Sequence, residues 1–362
     1  VLLKNENNIL PLDKQRIKKV LVTGPLADED NFMTSRYGPN GLETVTVLAG
    51  LRAYLKGVAE VDYAKGCDIV DAGWPATEIL PVPMNEREKR GIAEAVAKAG
   101  ESDVVIAVLG EDEYRTGESR SRTSLDLPGR QQQLLEALHA TGKPVILVLI
   151  NGQPLTVNWA NAYILESWFP GCQGGTVIAE TLFGEHNPGG KLTVTFPKSV
   201  GQIELNFPFK PGSHGSQPKS GPNGSGATRV IGELYPFGFG LSYTTFAYSD
   251  LEVSPLQQHT QGEYAIKVNV TNTGKRAGDE VVQLYVRDKV SSVITYDSQL
   301  RGFERVSLQP GETRQVTFSL KPEDLQILDR NMNWTVEPGE FEVMIGASSQ
   351  DIRLKKTITA LP

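Results

Sequence analysis

Charged side chains are densest in one short segment of the chain, Gly110–Arg122. Within a dozen residues it holds three glutamates and three arginines: Glu111, Glu113, Glu118, Arg115, Arg120 and Arg122. The segment directly follows an apolar run, Val104–Leu109, which is typical of a buried strand. Ligands bind beyond the carboxyl ends of strands in open parallel sheets, so a carboxyl group here is well placed for general acid or base catalysis. A solvated charged loop is the alternative, and the composition of the segment leaves both open.

The signatures of several other kinds of site are missing. The chain has no G-x-G-x-x-G or G-x-x-x-x-G-K-[ST] phosphate loop and no G-x-S-x-G nucleophile elbow. The turn Gly171–Gly175 could cradle a phosphate before a helix, but a tight, closely packed turn is favoured. The four histidines are scattered, so we expect no transition-metal site. Cys67 and Cys172 allow one disulfide or two free thiols, and free thiols are favoured.

The first two-thirds of the chain alternates β-branched apolar runs with amphipathic stretches. This pattern predicts a mostly parallel sheet with flanking helices. The predicted strands are Val20–Thr23, Val61–Ala64, Val104–Leu109, Val145–Ile150 and Ala162–Leu165. The predicted helices are Val47–Leu55, Glu88–Ala99, Gln131–Ala140 and Thr176–Leu182.

The pattern changes after a stretch rich in Gly, Ser and Pro. Residues 206–245 are predicted to be a loop and linker, which separates an α/β sandwich domain, residues 1–205, from a second domain, residues 246–362. The second domain shows alternating strand patterns and turn signals that predict an all-β immunoglobulin or fibronectin type III-like sandwich. Its clearest strands are Tyr264–Val270, Glu280–Val286, Gln315–Leu320 and Gly339–Ile345.

Length and charge exclude some classes of partner. The 362 residues carry a formal net charge of −7 without a long basic run, so nucleic acid is not an expected partner. The longest apolar runs are strand-sized, so we expect no membrane span. The chain begins at Val1 without a Met or a signal pattern, and we expect that a preceding segment was removed or is not included.

The order of motifs along almost the whole chain resembles the C-terminal half of family 3 glycoside hydrolases, in particular the periplasmic-type bacterial β-glucosidases. The acidic loop with Glu118 is one of these motifs. The other matching stretches are Val1–Leu12, Lys143–Gly152, Trp168–Gly175, Phe183–Leu192, Phe196–Ile203, Tyr235–Phe246, Gly278–Val286, Leu300–Arg305 and Pro338–Phe341.

The resemblance implies that the chain is half of an enzyme. Members of the family place a (β/α)₈ barrel, which supplies an aspartate nucleophile, before an (α/β)₆ sandwich domain that lends the general acid/base. A fibronectin-like domain follows in many of them. A barrel takes roughly 250 residues, which this chain cannot hold beside the other two domains. The resemblance therefore implies part of a retaining β-glucosidase or related exo-β-glycosidase, with its nucleophile on a barrel in cis or in trans. We expect the chain alone to be inactive.

The resemblance also assigns candidate site residues. The family pattern Gly-Glu-x₆-Glu-x-x-x-Arg maps onto Gly110, Glu111, Glu118 and Arg122. It implies that Glu118 is the general acid/base and that Glu111 has a structural role. We expect Arg122, and Arg229 at the rim of the active site, to bind substrate.

The remaining expectations concern ligands, location and the alternative function. A β-glucoside or oligosaccharide is the expected substrate, without a metal or organic cofactor. The resemblance implies a periplasmic or secreted location, and the fibronectin-like domain could support a homodimer. The alternative is a non-catalytic carbohydrate-binding or scaffold protein that retained these domains after losing the barrel. Sugar and linkage specificity depend mainly on the barrel.

Overall fold

Two separate cores form from the apolar residues of this chain, one in Val1–His186 and one in Asn187–Pro362. The computed structural model describes residues 1–31, 33–39, 41–158, 163–211, 230 and 232–362. Arg229 and most of the predicted linker lie outside these residues. No helix in the described part of the chain is both long enough and apolar enough to cross a bilayer.

One six-stranded sheet forms the centre of the first unit. Its order is β1-β6-β5-β4-β2-β3, and every neighbouring pair is parallel except β1 with β6. Every residue of β4 and β5 is buried, as continuous apolar strands require when both faces of a sheet are covered. The strands are β1 (Leu2–Asn5), β2 (Lys19–Thr23), β3 (Glu60–Ala64), β4 (Val104–Gly110), β5 (Val145–Ile150) and β6 (Tyr163–Glu166).

Successive strands from β2 to β5 are connected by α1 (Val47–Tyr54), α2 (Glu86–Gly100) and α3 (Gln131–His139), and α4 (Gly174–Phe183) follows β6. Their ends follow local chemistry. The Thr46 hydroxyl accepts a hydrogen bond from the backbone N–H of Ala49 at the start of α1, and Asn85 with Glu88 forms a capping box at the start of α2. Gly184, with φ of 82°, ends α4 in the left-handed conformation that glycine adopts most easily.

The strand order contains a switch point. Strand β3 lies on one side of β2, whereas β4, β5 and β6 lie on the other, so the direction of winding reverses between β2 and β4. In open α/β sheets, ligands bind at such points, beyond the carboxyl ends of the strands. The acidic segment follows β4 and therefore starts at this switch point.

In its described residues, the second unit is built mainly from strands. A five-stranded sheet, β11-β10-β15-β16-β8, and a three-stranded sheet, β12-β9-β7, share one hydrophobic core, which makes them a sandwich. The elements are β7 (Phe246–Ser254), β8 (Gln257–His259), β9 (Tyr264–Asn272), β10 (Gly278–Asp288), β11 (Gln299–Leu308), β12 (Thr313–Leu320), α5 (Pro322–Leu325), β13 (Ile327–Leu328), β14 (Trp334–Thr335), β15 (Gly339–Gly346) and β16 (Ile352–Leu361).

The predicted fold class, an α/β sandwich followed by an all-β sandwich, is confirmed. The predicted domain boundaries stay a prediction. The two units divide after His186. Phe207, near the start of the predicted linker, stacks on Phe237 within the second unit, with the two ring centres 4.8 Å apart. Both cysteines are free thiols, and burial raises the pKa of Cys67 to about 12.

The glycine-rich turn before α4 packs against the loop that follows β2. Gly171 N–H donates to the Met33 carbonyl at 2.6 Å, and Gly175 N–H donates to the Val45 carbonyl at 3.0 Å. A Cβ atom on Gly50, in α1, would lie 2.2 Å from the carbonyl oxygen of Gly175. Helices α1 and α4 therefore meet backbone to backbone, and the interpretation of the turn as a packing element is favoured over a phosphate cradle.

This close approach predicts that Gly50→Ala lowers the free energy of unfolding by about 1–3 kcal/mol, because the added methyl group overlaps backbone that cannot move aside. Urea denaturation followed by circular dichroism measures it. Gly100→Ala is the matched control, since a Cβ at that helical position meets nothing within 4 Å. Equal stability of the two variants would contradict the prediction.

Candidate functional site

Glu118 lies at the exposed tip of the loop that follows β4, and its backbone is held from the loop that follows β2. Its N–H donates to the Tyr37 hydroxyl at 2.9 Å, and its carbonyl accepts from Arg36 Nη1 at 3.0 Å. Within the described residues its carboxylate makes no hydrogen bond or ion pair. The loops that follow β2 and β4 are thus hydrogen-bonded to each other at the predicted acid/base. These bonds fix the main chain of Glu118 and leave its carboxylate free.

The residues that flank Glu118 have unusual backbone angles. Gly117 has φ of 116° and Ser119 has φ of 60°, so both lie in the region that L side chains rarely adopt. A Cβ on Gly117 would also lie 3.1 Å from Cδ of Arg36. The glycine is therefore required both for the turn and for the approach of the Arg36 side chain.

Arg122 anchors the loop where it returns to the protein, and its side chain is only 3% exposed. Its Nε and Nη2 donate to Oε1 of Glu78 at 2.9 and 2.7 Å, and its Nη1 donates to Glu111. Nη2 also donates to the Asp126 carbonyl at 2.7 Å. One guanidinium thus binds two buried carboxylates and one backbone group, which is the kind of pairing that a buried charge needs.

Trp74 completes this anchor from the segment between β3 and α2. The guanidinium groups of Arg122 and Arg115 lie 5.6 and 5.5 Å from the centre of its ring. Arg115 also pairs with the buried Asp112. Cation–π contacts on one tryptophan therefore hold both ends of the loop that carries Glu118.

Glu111 lies at the end of β4 and is completely buried. Gln153 Nε2 donates to its Oε1 at 2.6 Å, and Arg122 pairs with the same oxygen. Burial raises the pKa of Glu111 above its usual range, and Arg122 and Gln153 partly oppose the rise. A carboxyl group enclosed in this way cannot reach a ligand, and it positions Arg122 instead.

Glu166, at the end of β6, is a second buried carboxyl group at the same edge of the sheet. It accepts from the N–H of Trp168 at 2.7 Å and from Nδ2 of Asn151 at 3.2 Å. Complete burial raises its pKa to about 8, against these two hydrogen bonds. Asn151 follows β5, so Glu166 ties together the loops of two adjacent strands.

The structure brings together two of the predicted site residues and adds residues that the sequence did not indicate. Glu118 and Arg122 lie on the same loop, but the donors of Arg122 are engaged within the chain. We therefore assign Arg122 a positioning role, and its contact with substrate stays a prediction. Arg229 lies outside the described residues.

The unpredicted residues are Arg36, Tyr37, Trp74, Glu78 and Glu166. Of these, only Glu166 had a signal in the sequence, a carboxylate that ends an apolar strand.

The ion pairs of Arg122 predict that Arg122→Met lowers the free energy of unfolding by about 3–5 kcal/mol, because two buried carboxylates lose their cation. Urea denaturation measures the loss, and Arg120→Met, on the exposed tip, serves as the control with little change. Adding Glu111→Gln to Arg122→Met should restore part of the lost stability. No recovery in this double variant would mean that lost packing, and not an unpaired charge, explains the effect.

The raised pKa of Glu166 predicts a pH-dependent stability. Between pH 4.5, its usual pKa, and about pH 8, the folded protein binds more protons at this group than the unfolded chain does. The free energy of unfolding should therefore fall as pH rises through this window, by up to about 1.4 kcal/mol per pH unit.

Glu166→Gln, which cannot ionise, should flatten this decline, whereas Glu43→Gln, at an exposed position, should not. Urea denaturation at pH 5, 6, 7 and 8 measures both variants. Parallel pH profiles for Glu166→Gln and the unmodified chain would show that Glu166 does not titrate in this range.

Comparison with known proteins gives the family of the chain. The model of the glycosyl hydrolase family 3 C-terminal domain matches residues 1–243, and that of the fibronectin type III-like domain matches residues 280–349. The chain is 42% identical to a β-xylosidase of Formosa agariphila and 40% identical to a periplasmic β-glucosidase of Salmonella typhimurium. Each alignment covers 98% of this chain and 48% of the relative.

Solved structures agree with the sequence relatives. A β-glucosidase from Erythrobacter marinus superimposes with a TM-score of 0.87 at 39% identity, covering 100% of this chain and 49% of that one. A β-glucosidase from Listeria innocua in complex with isofagomine gives a TM-score of 0.86 at 30% identity, covering 99% of this chain and 48% of that one. The chain thus spans about half the length of these relatives, and it belongs to glycoside hydrolase family 3, of which it holds the C-terminal α/β domain and the fibronectin type III-like domain.

Proposed function

We propose that this chain is the acid/base-bearing part of a retaining exo-β-glycosidase, with Glu118 as the general acid/base. The observation that carries the proposal is the exposed carboxylate of Glu118, on a loop whose main chain is held at the tip by Tyr37 and Arg36 and whose end is anchored by the Arg122 side chain. Such a loop can present one carboxyl group to a substrate held by another domain. The names of the relatives support terminal β-linked glucosyl or xylosyl residues as the substrate class.

In the proposed reaction, a carboxylate of the barrel domain attacks the anomeric carbon while Glu118 gives its proton to the departing glycosidic oxygen. The resulting glycosyl-enzyme ester is then hydrolysed, and Glu118, now a carboxylate, takes a proton from the attacking water. Glu118 is therefore protonated again after the second step. Retaining enzymes hold the two carboxyl groups about 5–5.5 Å apart, so the barrel must dock over the tip of this loop.

Two further proposals follow from the same relatives. We propose a periplasmic or secreted location, which the name of the Salmonella relative supports. We also propose that the barrel acts in cis or in trans with this chain and that self-association, if present, uses the second unit. Light scattering on the purified chain measures its mass in solution directly.

The assignment of Glu118 predicts three results with aryl β-glucosides and β-xylosides. The chain alone should give no turnover, because the nucleophile is on the barrel. The chain joined to the amino-terminal half of the Salmonella relative should hydrolyse them. In that hybrid, Glu118→Gln should lower kcat/KM by about 10²–10⁴-fold for substrates with poor leaving groups and much less for those with good ones.

Glu113→Gln is the matched control, since it removes a carboxylate from the same loop and should leave the rates unchanged. Azide should partly restore turnover of the Glu118→Gln hybrid on activated substrates, because this anion attacks the glycosyl-enzyme without a general base. Turnover by the chain alone that Glu118→Gln abolishes would place a nucleophile within these residues. A hybrid that is active and indifferent to Glu118→Gln would favour the non-catalytic carbohydrate-binding alternative.

A further inference from the structure

The second unit contains a cavity of about 550 Å³. The loop that carries Glu118 belongs to the first unit. This volume is within the range of roughly 300–1,000 Å³ that small-molecule sites occupy. Buried residues of β10, α5 and β15 line it, namely Val286, Leu325 and Phe341. The cavity therefore has a rigid apolar base formed by the core of the sandwich.

Besides Phe341, two further aromatic side chains line the cavity. Trp334 lies on β14, opposite Leu328 of β13, and is 68% exposed. Tyr296 belongs to the loop between β10 and β11, and the Lys210 ammonium lies 5.6 Å from its ring centre. A tryptophan this exposed leaves a large apolar face in water, and burying such a face is a main source of binding energy.

The polar lining carries both signs of charge. Asp288, Glu323 and Asp324 supply carboxylates, and Lys210 and Arg301 supply cations. A phosphate ligand would meet the carboxylates, and a cationic ligand would meet the two basic groups. A neutral ligand rich in hydroxyl groups avoids both conflicts, because each hydroxyl can donate to a carboxylate and accept from a cation.

Arg301 also lines the cavity. Its Nη2 donates to the side-chain oxygen of Gln299, which is another lining residue. Its Nε is sealed from solvent, so a ligand in the cavity would meet the terminal nitrogens of the guanidinium.

We propose that this cavity binds a neutral saccharide, with the Trp334 ring packed against the C–H face of a pyranose and with Arg301, Asp324 and Gln299 hydrogen-bonded to its hydroxyl groups. The site is independent of the proposed catalysis, since all its residues lie in the second unit. It would hold a carbohydrate chain close to the enzyme without cleaving it. The same chemistry suits a free monosaccharide or the end of a longer chain.

Isothermal titration of the purified chain with glucose, xylose, cellobiose and xylobiose tests the proposal. We expect saturable binding of at least one of these sugars and an affinity at least tenfold lower in Trp334→Ala. Trp334→Phe should retain most of the affinity, because an aromatic face remains. Phe303→Ala is the control, since Phe303 is also a large exposed aromatic residue of this unit but does not line the cavity. Preference for a disaccharide over its monosaccharide would indicate that the end of a longer chain is the ligand.

Glu118→Gln separates this proposal from the catalytic one. The variant should bind sugar as the unmodified chain does, whatever its effect on hydrolysis. Loss of binding in Glu118→Gln, with Trp334→Ala unaffected, would place the saccharide in the first unit and overturn the proposal. Absence of saturable binding to all four sugars would overturn it as well. The melting temperature of each variant, measured in parallel, identifies any that fails to fold.

Discussion

The ion pairs of the buried Arg122 guanidinium are the interactions on which the loops of the first unit depend. This guanidinium pairs with Glu111 at the end of β4 and with Glu78 in the connection between β3 and α2, and it lies over the Trp74 ring. A charge buried to this degree is costly unless every neighbour compensates it. Once this charge is compensated, the end of β4, the connection between β3 and α2, and the loop with Arg122 can take few other arrangements. The main chain of Glu118 is then held by geometry that is set several residues away.

This arrangement separates two requirements that a general acid/base must meet. Its position is set within this chain, by Arg122 at one end of the loop and by Arg36 and Tyr37 at the tip. A substrate must also reach its carboxylate, and the Glu118 side chain is exposed. In the proposed enzyme the docked barrel would hold the substrate against this carboxylate, so that the acid/base works only when the two halves meet.

Much of the first unit could be predicted because the relevant signals are local. The apolar runs Val104–Leu109 and Val145–Ile150 identified the central strands, and the acidic segment directly after the first of them identified the loop with Glu118. Strand β1 was missed, since four residues at an antiparallel edge carry no clear periodicity. The pairing of Arg122 with Glu78 joins residues 44 positions apart, so nothing in the sequence near either residue distinguishes an arginine that binds protein from one that binds substrate. Tyr37 holds Glu118 through a main-chain N–H, an interaction that any residue at position 118 could make.

The backbone contact between α1 and α4 has a consequence for the loops at the carboxyl edge of the sheet. Gly50 and Gly175 are required by the distance between two helix backbones and not by any chemistry of their own. The loop that ends at α1 carries Arg36 and Tyr37, and the turn that ends at α4 follows directly on Trp168. Widening the gap between the helices by even one methyl group would shift both loops together. The position of the loop that carries Glu118 therefore depends on the separation of these two helices as well as on the ion pairs of Arg122.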